Sequence, residues 1–317
     1  MKLFIGTVFL TALIIQSCEK TKSDELEFDQ WTRTSTPVLR DSIASENYQV
    51  ASDAHVFVDG NSLQMIYSGD KNGKSSIKLA RSNGLDAWRP SNTLLGSVGP
   101  SGLDVHKETA YYRKASTGKH QIYYIGYEDE TAYEAQIFLA EADVLDGPYT
   151  QMKNPVVAKG NMAGKQVYCM TSPSVVEHEG TLYMTFIGWN DAPKDVTEVW
   201  IIGATSQDHG HTWNDFQLVD TRIGMEGQVT KAGENQFIAV RTGDLDGKEA
   251  IYYSRASHPF GPWNESEHPI LIQAGPPYEK DEIIAPQIFI DPESGDEVLF
   301  YTGADYSIGW WIMLAKK

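Results

Sequence analysis

The chain has 317 residues, 41% hydrophobic and 11% aromatic, enough to bury a large core. Its 43 Asp and Glu outweigh 26 Lys and Arg, for a formal net charge of −17, and no cluster of cations stands out. That balance argues against a nucleic-acid binder, because phosphate contacts need grouped Lys and Arg.

Lys2 precedes an apolar run over 3–15 and then Gln16-Ser17-Cys18, the order of an export signal. The run is too short to make a convincing membrane span. Residues 15–18 resemble the lipobox of bacterial lipoproteins. That resemblance implies removal of residues 1–17, a lipid on Cys18, a place in the bacterial cell envelope, and membrane contact through the anchor alone. The plainer alternative is an ordinary secretory signal. Residues 18–27 are polar and aperiodic, as a tether would be, and 28–317 remain for one domain. If Cys18 carries lipid, Cys169 has no partner for a disulfide and reads as a small buried hydrophobe.

No capped, 3.6-periodic stretch of useful length occurs, so the domain is expected to be all-β. Within it, five stretches share one outline: 51–69, 107–127, 171–189, 225–243 and 284–303. Each reads as a strand, a polar turn and an apolar, aromatic strand. With Asp53, Glu108, Ser172, Glu226 and Ala285 as equivalent points, the interval is about 54–64 residues, and long all-strand periods point to propeller blades.

A third strand follows each hairpin, ending at Ser82, Ala142, Ser206, Ser257 and Lys317. After four of these come a Gly-containing turn and an aromatic, Trp88, Tyr149, Trp213 or Trp263, which opens a fourth strand. The last repeat stops at Lys317 without one. Residues 28–39, with Trp31, precede the first repeat and can supply it, closing the ring and removing an open edge. The expected fold is a five-bladed β-propeller with its last blade closed by the N-terminal strand. Long connections such as 89–106 and 150–170 place candidate functional loops on one rim.

The first residue of each innermost strand faces the central funnel, and three of the five, Asp53, Glu108 and Glu226, are carboxylates. Hydrolysis of a glycosidic bond needs two such groups, one protonated and one ionised, and unequal burial can separate their pKa values. With these repeats and motifs the chain resembles the five-bladed glycoside hydrolases, the superfamily of families 43, 32, 68 and 117. In families 43 and 32 a carboxylate triad occupies the starts of blades one, three and four. The resemblance implies Asp53, in SDAHVFVDG, as base or nucleophile and Glu226, in GMEGQV, as general acid. The supporting Asp falls at Ser172-Pro173, where the Pro is kept and the Asp is Ser. Glu108 is the first candidate to replace it. Whether the reaction inverts or retains depends on the carboxyl separation.

His55, His106, Ser172, Trp189 and Trp310 are candidate substrate-binding residues, with Asp104 close to the same region. Plainer roles stand beside these: Asp53 as a strand-entry residue, Glu226 and Glu108 as solvated charges, and the aromatics as packing between blades. No spacing resembles a metal site, and no cofactor is expected. Residues 206–213 fit S-x-D-x-G-x-T-W, the Asp box of sialidases and related propellers, a structural turn. The expected protein is a monomeric, lipid-anchored glycoside hydrolase acting on an oligo- or polysaccharide. The alternative is a non-catalytic glycan-binding lipoprotein with a degenerate site.

Overall fold

The computed structural model describes residues 31–42, 49–70, 73–96, 99–129, 133–191, 196–220 and 226–317. The export signal, Cys18 and the tether lie outside the described residues. Every regular element among those described is a strand.

Short strands β1 (Thr32–Arg33) and β2 (Gln49–Val50) come first. The first blade is β3 (Ser52–Asp59), β4 (Ser62–Asp70), β5 (Ser75–Ser82) and β6 (Arg89–Leu95). The second is β7 (His106–Lys114), β8 (His120–Tyr127), β9 (Gln136–Ala142) and β10 (Thr150–Gln151). A small hairpin, β11 (Gly160–Met162) with β12 (Lys165–Val167), lies in the connection to the third. That blade is β13 (Cys169–His178), β14 (Thr181–Trp189), β15 (Val199–Ser206) and β16 (Asn214–Asp220). The fourth is β17 (Gly227–Gly233), β18 (Gln236–Leu245), β19 (Lys248–Ala256) and β20 (Asn264–Glu265), with β21 (Leu271–Ile272) also on β19. The last is β22 (Glu282–Ile290), β23 (Glu297–Asp305) and β24 (Gly309–Lys316), completed by β1.

Thr32 pairs with Lys316 and Arg33 with Ala315, so the N-terminal segment closes the ring as expected. β2 adds a parallel pairing along β24, Gln49 to Gly309. Trp31, Trp88, Tyr149, Trp213 and Trp263 each stand immediately before the outermost strand of their blade. That position explains the repeating aromatic, which anchors the outer strand before it pairs.

The core lies between blades rather than within any one sheet. Tyr123, Met184 and Trp213 join blades two and three, Tyr253, Tyr301 and Trp311 blades four and five, and Met65, Phe300 and Leu314 blades five and one. Ile66, Tyr124 and Phe138 fill the seam between one and two. The seam between three and four is the thinnest, with Val176, Val229 and Phe237 as its buried set, and it holds a cavity of about 50 Å3 reached by Ser172 and Arg241. Cys169 is free and fully buried, and burial pushes its thiol up to about 12, as suits a packing residue.

The inner strands β3, β7, β13, β17 and β22 pack on one another in cyclic order. This closed ring of strand beginnings positions the site.

The Asp box is built as its residue types require. Asp208 Oδ1 accepts from the amides of His211 and Thr212, at 3.1 and 3.0 Å, and Oδ2 from the Thr212 hydroxyl at 2.7 Å. Although burial opposes it, these bonds hold the Asp208 carboxyl down at about 2. Trp213 Nε1 donates to the Gly210 carbonyl, so the motif closes a turn beneath blade three and stands apart from the funnel.

Candidate active site

At the head of four inner strands one residue adopts a left-handed backbone: Asp53 (φ 53°), Thr109 (43°), Ser172 (52°) and Ala285 (51°). At each the pairing with the second strand skips, as between Ser52 and His55 or Thr171 and Ser174, so each is a β-bulge, a device that re-aims side chains at functional rims. Hydroxyls of the preceding blade hold three of the four bulge amides. The amide of Asp53 donates to Thr302 Oγ1, that of Thr109 to Ser68 Oγ, and that of Ser172 to Thr109 Oγ1, at 3.0, 3.1 and 3.2 Å.

This geometry corrects one equivalence drawn from the repeats. By conformation the counterpart of Asp53 in blade two is Thr109, and Glu108 stands one residue earlier, level with Ser52 and Ile284. That earlier position also faces the funnel, for Ser52, Glu108 and Ile284 all line the same cavity.

The cavity has a volume of about 660 Å3 and gathers Asp53, Glu108 and Glu226 together with Trp310 on its wall. The three carboxyls differ in what surrounds them. Asp53 is 6% exposed; burial raises its pKa, opposed by the Ser68 and Ser52 hydroxyls and the Thr109 backbone. Ser52 Oγ donates to its Oδ2 at 2.9 Å. Glu108 accepts from Ser75 Oγ and Tyr127 OH, both at 2.7 Å, and from Tyr133 OH at 3.4 Å. Burial and the charge of Asp53 raise its pKa, and the three hydroxyls pull it back.

Glu226 differs: its Oε2 is buried and meets no hydrogen-bond partner. Burial first, then the charges of Asp53, Glu282 and Glu108, push its pKa well above the ordinary carboxylate value. Burial and like charge thus disfavour the ionised form of Glu226, whereas Asp53 and Glu108 have hydroxyl donors for theirs.

The remaining candidates lie at varying distance from this cavity. Trp310 lines it, with Tyr306 tilted against its ring at 5.5 Å. His106 stacks on Tyr127 at 5.1 Å, one layer behind the wall. His55 does not line the cavity. It is buried in the channel beside Gln228 and Gln287, and burial lowers its pKa to about 4, so it is neutral. Ser172 reaches the seam between blades three and four instead. Trp189 is 6% exposed and stacks near Tyr133 at 6.2 Å. Asp104, fully buried, accepts from Tyr124 OH at 2.9 Å and faces Lys107 Nζ at 3.7 Å, an internal pair outside the cavity. Trp200 packs between blades, under Lys165 at 5.0 Å.

Sequence reasoning missed Asp70, Ser75 and Tyr127, which line the cavity from the second and third strands. A signal for two of them was present: in an antiparallel hairpin the end of the second strand lies beside the start of the first, so Asp70 and Tyr127 had to return to the funnel. Among the described residues no group of three His, Cys, Asp or Glu is arranged to hold a metal ion.

Comparison with known proteins adds to this geometry. No curated protein matches the chain. Among solved structures it is similar to an α-L-arabinofuranosidase from Podospora anserina in complex with cellotriose, with TM-score 0.66, 11% identity, and 90% of this chain and 96% of that one covered. A GH62 α-L-arabinofuranosidase catalytic domain from Coprinopsis cinerea gives TM-score 0.65 at 11% identity over 90% and 96%. A thermostable family-43 glycoside hydrolase gives 0.61 at 15% over 84% and 88%. At such identities the likeness speaks for the fold alone, a five-bladed propeller. The model of the family described as glycosyl hydrolases family 43 matches residues 48–311, a span that runs from the strand before Asp53 to the last strand of the ring, and the chain belongs to that family.

Proposed function

We propose that this family 43 glycoside hydrolase cleaves glycosidic bonds with Glu226 as general acid and Asp53 as general base or nucleophile. Glu226 protonates the leaving oxygen, while Asp53 activates water or attacks the anomeric carbon. Glu108, fixed by three hydroxyls, takes over the substrate-orienting part of the supporting carboxylate that position 172 lacks, and Trp310 offers a face on which a sugar ring stacks. The single observation that carries this reading is the contrast within one cavity: one carboxyl with a buried, unpartnered oxygen beside two with hydroxyl donors. Ser172 motivated the alternative of a binding protein without turnover; family membership favours hydrolysis.

Aryl α-L-arabinofuranosides are the first substrates to screen, given what two similar structures are named for, followed by oligosaccharides. Once a substrate is found, Glu226→Gln and Asp53→Asn are each expected to lower kcat/KM by about 10²-fold or more, with unchanged circular dichroism. For Glu226→Gln the loss should shrink on a dinitrophenyl glycoside, whose leaving group needs little protonation. Full activity in either variant on an ordinary glycoside rejects the assignment.

A further inference from the structure

A fourth carboxyl reaches the proton donor from a strand that no motif marks. Glu282 opens β22, two residues before Ile284, and residues two apart on a strand share a face. Because Ile284 lines the cavity, Glu282 stands on the cavity side of its strand. Glu226 immediately precedes β17, which packs on β22. Glu282 Oε2, like Glu226 Oε2, is buried without a partner. Its carboxyl also takes a hydrogen bond from Tyr306, whose ring lies against the cavity-lining Trp310.

We propose that Glu282 is a positioning residue, the like-charge neighbour that keeps the proton on Glu226 and so does for the acid what a serine at position 172 cannot. The inference rests on the reading of Glu226 as the acid.

The other candidates for this task have different duties. Asp53 changes its own charge during turnover, and the charge of Glu108 is absorbed by three hydroxyls. Among the described residues, the titratable groups acting most strongly on Glu226 are Asp53 from β3, Glu282 from β22, Glu108 from β7 and Glu249 from β19, with Tyr133 nearby. Those acting on Glu282 are Glu249, Tyr306, Asp53 and Asp281. None of these is a cation that would release the proton. Burial and then Glu249 raise Glu282 itself to about 7. Glu282 is therefore charged, and opposes ionisation of Glu226, on the alkaline side where the acid would otherwise be lost.

The test is a carboxyl-carbon NMR titration of the protein labelled with 13C in its glutamate side chains, with the Glu226 signal identified by its absence in Glu226→Gln. In the unmodified protein Glu226 is expected to titrate well above the ordinary carboxylate range. Glu282→Gln should lower that midpoint by about one pH unit, and the alkaline limb of kcat/KM should move down with it. Tyr306→Phe, an exposed change that leaves the carboxyl in place but removes its donor, should give a smaller shift of the same sign. A Glu226 midpoint that is high in all three proteins and unmoved by either substitution overturns the role of Glu282 alone. A midpoint in the ordinary range in the unmodified protein overturns the acid assignment beneath it.

Discussion

The ionised form of Glu226 is poorly accommodated, which suits the proton-donor role proposed for it and also sets a price in stability. Its folded pKa lies well above the reference value of 4.5, through burial and then the charges of Asp53, Glu282 and Glu108. For a raised carboxyl the stability is fully present below the unfolded value and is lost as pH rises through the folded one. Glu226→Gln, which is always neutral, is therefore expected to melt above the unmodified protein at pH 8, with the gap closing towards pH 4. A gain of about 1 kcal/mol corresponds to about 2–4 °C in a large domain, which scanning calorimetry over a pH series resolves; a variant less stable at pH 8 would contradict this reading of Glu226. Two of the funnel acids were legible because Asp53 and Glu226 sit in short family-like motifs. Glu282 was not, since in the run Glu279-Lys280-Asp281-Glu282 it reads as one more solvated charge. Its burial depends on β17 and β19, which come from tens of residues earlier in the chain.

At the scale of elements, the bulge at the head of four inner strands carries the geometry that brings Asp53 and Glu108 to the funnel. The repeat was visible as alternating hydrophobicity, but the bulge was not, because Asp, Thr, Ser and Ala all occupy the left-handed position and no residue type marks it. The equivalence of Glu108 with Asp53 missed by one residue for this reason, and Glu108 reached the cavity because the residue before the bulge faces it too. Thr109 links the first three blades: its amide donates to Ser68 Oγ and its hydroxyl accepts the amide of Ser172. Thr109→Val keeps the β-branched shape, and with it the cost of a positive φ, while leaving a buried amide unsatisfied. Chemical denaturation is expected to show a loss of about 1–3 kcal/mol. Thr109→Ser, which restores the acceptor, should recover most of it; equal stability of the Val variant and the unmodified protein would show that the latch contributes nothing.

Across the whole molecule, the first described strand and the last, β1 and β24, pair in one blade, and that pairing closes the ring. The expectation that residues 28–39 complete the last blade came from a deficit, a fifth repeat lacking its fourth piece, together with Trp31 standing where each sibling has an aromatic. Residues 31–39 meet that expectation along β24: Trp31 is 6% exposed within the seam between blades four and five, Leu39 forms a bridge with Ile312, and Arg33 Nε pairs with Glu279 Oε1 at 2.9 Å. Removing this segment would bare the backbone of β24 as an unpaired edge, a template for intermolecular pairing, and uncover Trp31's cavity between two blades. A protein truncated through Leu39 is therefore expected to aggregate or to melt broadly at lower temperature. Trp31→Ala in the full chain should cost about 3–5 kcal/mol while keeping the pairing of Thr32 and Arg33. Since the five inner strands support one another in a circle, either loss should reach the funnel, read as weaker binding of a substrate glycan as well as a lower melting point. A truncated protein that melts as cooperatively as the full one would mean that four complete blades and an open fifth hold the ring unaided.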